Sequence, residues 1–227
     1  MGFKDTLQLG RERKYDIYDL FLTYPSPLVP KDLRYEVTER IGSNGEILTP
    51  LDEKGLLKSA EELQSKGVTS IAISFLKSNS KSKHEKLASQ IIAKNFPNLA
   101  ITLSSDISQE SGEFERTSTA TINAYIKPLA AEYIQELGLA LKNKDIQAPL
   151  MLMLSNGGLT NASEAKHRPV ELLESGPAAC ALSAALMGKL QNEERLIAFD
   201  MGGTTAKIAI IDNGRPEVSY SFEAARE

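Results

Sequence analysis

The segment Leu196-Ile-Ala-Phe-Asp200-Met-Gly202-Gly203-Thr204-Thr205-Ala-Lys207-Ile-Ala-Ile-Ile-Asp212-Asn-Gly214 narrows the choice of fold more than any other stretch of the chain. It reads as an apolar strand, a tight turn, a second apolar strand and an Asn-Gly hairpin turn. Two adjacent glycines let a backbone approach an anion closely, and the N–H groups of such a turn can point at phosphate oxygens. Thr204 and Thr205 add hydroxyl donors. Asp200, at the mouth of the first strand, is placed to hold Mg²⁺ directly or through water. A carboxylate beside a phosphate is repulsive unless a metal or a proton lies between them. The pattern therefore reads as a Mg²⁺–phosphate site, with Gly202, Gly203, Thr204 and Thr205 as the nucleotide contacts. An ordinary Gly-Gly hairpin turn fits the same residues, because Asp-x-Gly-Gly-Thr is short.

The residues just upstream favour the phosphate reading. Glu174-Ser175-Gly176-Pro177-Ala178-Ala179-Cys180-Ala181-Leu182-Ser183-Ala184-Ala185 predicts a helix of small residues, with Pro177 in its first turn and alanines that allow another backbone to pack closely. A polar connection of about ten residues is expected between this helix and the strand. Small-residue helix, connector and strand–turn–strand in this order resemble the junction between the two domains of the actin, hexokinase and heat-shock-chaperone ATPase superfamily. In that superfamily two phosphate hairpins, one per domain, clamp ATP. The resemblance implies that the hairpin at Asp200 is the second of them.

Charge and composition exclude other classes. Net charge is −4, from 26 basic and 30 acidic residues, so the chain carries no nucleic-acid footprint. No apolar run is long enough to span a membrane, and the N-terminus lacks the apolar core of a signal peptide. One cysteine excludes an internal disulfide framework and fits a reducing cytosol. Cys180 reads as a small buried hydrophobe. His84 and His167 are far apart in sequence, which argues against a zinc site.

Before the hairpin the chain reads as α/β. Gly10 to Lys14 is a charged patch, and Tyr24 to Pro30 an extended proline-rich connector. Leu33 to Ile41 alternates apolar and polar, predicting a half-buried strand that turns at Ser43-Asn44-Gly45 into a partner at Glu46–Thr49. Asp52 caps a predicted helix to about Lys66, with Leu56, Leu57, Ala60 and Leu63 on one face and Gly67 as its stop. Val68–Leu76, an amphipathic helix over Lys83–Asn95 and a strand at Leu99–Leu103 form a βαβ unit. A loop at Ser104–Ile107 follows, at the strand end where open α/β sheets collect ligands. A long helix is expected over Glu113–Lys142, kinked or broken near Lys127 by Pro128. Its first turns are rich in hydroxyls and amides, which gain little in an exposed helix and so predict a cleft-facing surface. A solvated face with a Glu113–Arg116 ion pair is the alternative. Pro149–Leu154 reads as a buried strand ending in the glycine turn Ser155-Asn156-Gly157-Gly158.

Taken together, Gly2-Phe-Lys-Asp-Thr-Leu, Glu113-Phe-Glu-Arg-Thr-Ser-Thr, Asn123-Ala-Tyr, Ser155-Asn-Gly-Gly-Leu, Ser175-Gly-Pro-Ala-Ala and Phe199-Asp-Met-Gly-Gly-Thr closely resemble the hydantoinase A and 5-oxoprolinase family, in that family's order. The resemblance implies a cytosolic enzyme with an actin-like ATPase core. Such an enzyme couples hydrolysis of ATP, with Mg²⁺, to opening a five-membered cyclic amide such as a hydantoin or 5-oxoproline. An unstrained lactam is a poor electrophile. Phosphorylating its enolised oxygen makes a good leaving group, so the protein chiefly supplies positioning and charge neutralisation. The resemblance also implies a hydantoinase B-type partner subunit or domain, with no nucleic acid and no membrane involved.

Candidate catalytic residues are Asp200, Glu115 and Arg116. Asn156 and Gly157 join the Gly202–Thr205 turn as candidate cofactor contacts, and Asp200 is the candidate metal ligand. Related proteins leave two alternatives: a subunit of an acetone- or acetophenone-type carboxylase, and a non-catalytic ATP-driven activator. Family members are several hundred residues longer, so the chain is expected to be an internal fragment or a split subunit, with part of a domain interface exposed. Residues 1–32 are then a connector, 33–192 the remainder of the first α/β domain and 193–227 the start of the second. Lys207 departs from the family, in which many members carry Asp at that position. Strand alternation decides whether its side chain reaches the site.

Overall fold

The structure is a computed structural model, and it describes residues 3–9, 18, 21 and 26–218. The charged patch at residues 10–14 and the Tyr24-Pro25 start of the connector lie outside the described residues. The chain divides into two compact units, Met1–Ala130 and Ala131–Glu227.

The first unit is built around the predicted βαβ unit. It begins with a single helical turn, α1 (Thr6–Leu9), and a 3₁₀ turn at Lys31–Leu33. Strands β1 (Arg40–Ile41) and β2 (Ile47–Thr49) pair antiparallel across the Ser43–Gly45 turn, where Gly45 takes φ +89°. The alternation from Leu33 predicts a nine-residue strand, but only its last two residues pair. Alternation marks an extended, half-buried segment, whereas a strand also needs a backbone partner. Here β2 is three residues long and the register shifts between Arg40 and Ile41.

Helix α2 (Glu53–Ser65) starts where expected, with the Asp52 carboxylate accepting from the Gly55 N–H at 3.0 Å. Asp52→Ala is expected to cost about 1 kcal/mol through loss of this cap, read as a lowered urea midpoint at unchanged m-value. Strand β3 (Ser70–Ile73), helix α3 (Lys83–Asn95) and strand β4 (Ala100–Leu103) follow, with β3 and β4 parallel and Ser70 opposite Ala100. Leu51, Leu56, Ala60, Ile71, Ile73, Ala88, Ile92, Leu99 and Leu103 form one core, so α2 and α3 bury their apolar stripes against this pair of strands.

Residues 104–107 form one turn of helix, α4 (Ser104–Ile107), instead of the expected loop, with Ser104 and Ser105 buried. Helix α5 (Glu113–Lys142) has the predicted bounds and passes through Pro128 without a break. Proline removes one helical hydrogen bond and crowds the preceding turn. Burial on both sides, at Ala120 and Ala124 before it and Ile134 after it, outweighs that loss. The division between the units falls two residues past Pro128. Just before the proline, Lys127 donates to the Ile101 carbonyl at 2.7 Å, and burial pushes its pKa down against the opposing pull of Asp106.

The second unit opens with a hairpin, β5 (Met151–Met153) and β6 (Leu159–Asn161), paired antiparallel. The expected buried strand is exposed at Met151 and half-buried at Leu152 and Met153. Helix α6 (Ala162–His167) is capped by the Asn161 side chain, and a 3₁₀ turn at Pro169–Leu172 leads on. Helix α7 (Ser175–Gln191) then packs on a meander of β7 (Leu196–Met201), β8 (Ala206–Asp212) and β9 (Arg215–Pro216). Its buried positions, Ala181, Ala185 and Gly188, are all small. A Cβ on Gly188 would lie 2.4 Å from Leu196 Cδ1 and 2.8 Å from the Glu193 carbonyl, so this close approach of helix to strand requires glycine. The helix extends to Gln191, leaving residues 192–195 as the connection, shorter than the ten or so residues expected. Cys180 packs, half-buried, beside the Ala185–Ala198–Ile211 cluster. No helix among the described residues is long and apolar enough to cross a membrane.

Candidate functional site

The β7–β8 hairpin forms as the sequence predicts, with Leu196 opposite Ile211, Asp200 opposite Lys207 and Met201 opposite Ala206. The turn closes with the Gly202 N–H donating to the Thr205 carbonyl at 2.9 Å. All four turn residues, Gly202 to Thr205, are exposed. A Cβ on Gly203 would meet nothing within 4 Å, and one on Gly202 would meet only the Thr205 carbonyl at 3.6 Å. The backbone here is open to a ligand of phosphate size.

Alternation sorts the hairpin into two faces. Ala198, Ala209 and Ile211 face α7 and share its core cluster. Asp200 and Lys207 continue that face toward the turn, and both are half-buried. Ile197, Phe199, Met201, Ile208 and Ile210 lie on the other face, each more than half exposed. Five large apolar side chains on one sheet face make a contiguous patch of the kind that marks an interaction surface.

Lys207 forms an ion pair with Glu174, the residue that precedes α7. Glu174 adopts a left-handed conformation, φ +63° and ψ 18°. Asp200, Lys207 and Glu174 thus place two carboxylates and one ammonium on the α7-facing side of the hairpin, next to the glycine turn. The pairing of Glu174 with Lys207 is not visible in the sequence. Its only signal there is an acid directly before Ser-Gly-Pro, and its partner is 33 residues away.

Asn156 and Gly157 occupy the β5–β6 hairpin turn. Gly157 has φ +83°, the Asn156 side chain accepts from the Gly158 N–H at 2.8 Å, and the Ser155 N–H donates to the Glu171 carbonyl. Asn156 is exposed.

Glu115 and Arg116 belong to the first unit. Arg116 is fully buried, and each nitrogen of its guanidinium donates to a protein acceptor. Nε reaches Ser104 Oγ at 3.2 Å, Nη1 the Glu110 carbonyl at 3.0 Å and Nη2 the Phe75 carbonyl at 3.0 Å. The Ser104 hydroxyl donates in turn to Glu85 Oε1 at 2.6 Å, and Glu85 also accepts from the Phe75 and Ser105 N–H groups at 2.9 Å each. This network joins α3, α4, α5 and the segment just after β3. The sequence carried a signal for Glu85, since it shares the i, i+3, i+7 stripe of Ala88 and Ile92. Glu115 is half-buried, and its carboxylate folds back over Gly112. The opposite face of the same helix start meets the cleft expectation in part. Glu113, Thr117, Thr121 and Tyr125 line a mostly apolar cavity of about 470 Å³ within the first unit. A second buried pair, His84 Nδ1 with Glu39 Oε2 at 2.8 Å, ties α3 to the segment before β1.

The model of the hydantoinase/oxoprolinase N-terminal region matches residues 1–96, and the hydantoinase/oxoprolinase model matches residues 116–227. An uncharacterised protein of Methanocaldococcus jannaschii is 44% identical over all of this chain, which covers 33% of it. The caprolactamase subunit alpha of Pseudomonas jessenii is 30% identical over 99% of the chain, which again covers 33% of it. The chain therefore spans about a third of the length of these relatives. In the solved structure of the ATP-dependent caprolactamase from Pseudomonas jessenii, 30% of that chain matches 92% of this one, with a TM-score of 0.81 and 29% identity. A nucleotide-free acetone carboxylase shares the fold at a TM-score of 0.82 and 24% identity, over 96% of this chain and 33% of its own. The architecture is the mixed α/β, actin-like ATPase type. With the two models matching successive parts of the sequence, the chain belongs to the hydantoinase/oxoprolinase family.

Proposed function

We propose that this chain forms part of an ATP-dependent hydrolase that opens cyclic amides, and that the β7–β8 turn binds the nucleotide's phosphates. The observation that carries the reading is the exposed Gly202–Thr205 turn with Asp200 and Lys207 side by side at its base. The named activities of its relatives support it. One is an ATP-dependent caprolactamase, and others are 5-oxoprolinases.

The donor set suits a metal-bound polyphosphate. Open glycine N–H groups and two threonine hydroxyls offer donors to phosphate oxygens, and Asp200 offers a carboxylate to Mg²⁺. When bound, Mg²⁺ neutralises charge on the phosphates. The chain's own residues do the rest. The turn orients the phosphate chain, Asp200 holds its position through the β7–β8 ladder, and α7 packs beneath both strands and keeps them rigid. Asn156 and Gly157 are assigned to the same ligand. Glu115 is assigned to the substrate side. Arg116 acts by positioning, because its donors tie the start of α5 to α4 and to the segment just after β3. The partner we assign is a hydantoinase B-type subunit or domain, and the compartment the cytosol. Residues 33–192 and 193–227 are assigned to the first and second ATPase domains.

The test is ATP hydrolysis by the full-length protein with 5-oxoproline, hydantoin or caprolactam. Stimulation by a lactam is the expected result. Turnover that depends on bicarbonate and a ketone would instead identify a carboxylase subunit. Stimulation by a protein alone would identify an ATP-driven activator.

A further inference from the structure

Lys207 sits where a nucleotide site needs a cation. The ladder places it directly opposite Asp200, one residue past the end of the Gly202–Thr205 turn and its following alanine. Cross-strand partners project to the same face, and here that face continues the one packed on α7. The Lys207 side chain is half-buried, with its ammonium on the Glu174 carboxylate.

Glu174 and Asp200 alone would make this mouth doubly negative, and a polyphosphate would be repelled. Lys207 offsets one of those charges. A half-exposed ion pair contributes little to stability. Glu174, the residue at which the chain enters α7, also takes a left-handed conformation that non-glycine residues seldom adopt. The pair is therefore a poor investment for stability alone, and its location beside the open turn points to a ligand.

Resting on the nucleotide reading above, we infer that Lys207 is a further nucleotide-binding residue: its ammonium, held by Glu174 beside the turn, is shared with a phosphate bound at Gly202–Thr205. Lysine binds phosphate as a point charge and needs no fixed geometry. Sharing between a carboxylate and a phosphate is within its three donors.

The two partners of the pair then have opposite effects on the ligand. Lys207→Met removes the cation and leaves Glu174 facing the phosphates. Glu174→Gln removes the competing charge and releases the ammonium to the phosphates. A structural clasp between β8 and α7 would make the two variants behave alike.

The experiment is calorimetric titration of the full-length protein with MgATP, alongside melting temperatures. Lys207→Met is expected to raise Kd about tenfold, the scale of one charge-assisted contact, and Lys207→Arg to recover most of it. Glu174→Gln is expected to lower Kd. Parallel losses of melting temperature with Kd within twofold of wild type in both variants would overturn the inference. If Lys207→Met fails to fold, Glu174→Gln decides, and an unchanged or raised Kd overturns it. Asp200→Asn separates the two readings. If it weakens MgATP while Lys207→Met does not, the nucleotide site stands and the role of Lys207 falls. If neither weakens it, the site itself is elsewhere and both fall.

Discussion

Asp200→Asn in the full-length protein is expected to lower ATP turnover about 100-fold or more while the fold survives. The estimate is the scale on which single preorganised electrostatic contacts act in enzyme sites. The substitution keeps the size and planarity of the side chain and removes only its charge. Asp200 is half-buried at the end of β7, its backbone is paired to Lys207 on β8, and no buried ladder bond depends on the carboxylate. The melting temperature should therefore move by no more than a few degrees. The loss should appear in MgATP binding as well as in turnover, because a carboxylate that holds Mg²⁺ acts on the ground state too. Turnover equal to wild type would remove Asp200 from the site. A large fall in melting temperature would show that the carboxylate supports the hairpin, and the loss of activity would then say nothing about metal binding.

Arg116→Met should destabilise the first unit by about 3–5 kcal/mol, the cost of removing one partner from a buried, charged network. Methionine fills part of the volume, so the loss is chiefly polar. The Phe75 and Glu110 carbonyls and the Ser104 hydroxyl each lose a donor, and the buried Glu85 carboxylate loses the cation that faces it through Ser104. Whole domains are stable by about 5–15 kcal/mol, so this is a large part of the total. Arg116→Lys should recover little, since one ammonium cannot reach three acceptors set at different angles. Urea unfolding of the variants gives the answer. A midpoint within error of wild type, with activity lost, would instead move Arg116 from a positioning role to direct contact with the substrate.

These two residues show what kind of information a sequence carries. The hairpin that carries Asp200 is legible because its pattern is local. An apolar strand, two glycines, two hydroxyls and a second strand follow one another between Leu196 and Asp212, and the structure forms that hairpin. The same holds for α3 and α5, whose predicted bounds agree with the structure, and for the Asp52 cap. Arg116 was legible only as a polar residue on a helix that promised a cleft. That helix start does have one face toward a cavity, through Thr117 and Thr121, but Arg116 lies on the face that packs inward. Its turn of helix does not reveal that the acceptors are Phe75, 41 residues upstream, and Ser104.

The remaining differences have the same cause. The strand predicted over Leu33–Ile41 shrinks to two paired residues because pairing depends on β2 and not on alternation. Of the kink or break predicted near Lys127, the break does not occur: the helix runs on through Pro128, with Ala124 and Ile134 buried on either side of it. Periodicity, capping and turn chemistry act over a few residues, so the sequence by itself determined α2, α3, α5, the βαβ unit and the β7–β8 hairpin. Which charges meet is set by how elements tens of residues apart pack. Only the tertiary structure decided that Lys207 pairs with Glu174, that Arg116 and Glu85 are buried around Ser104, and that the hairpin turns an apolar face outward.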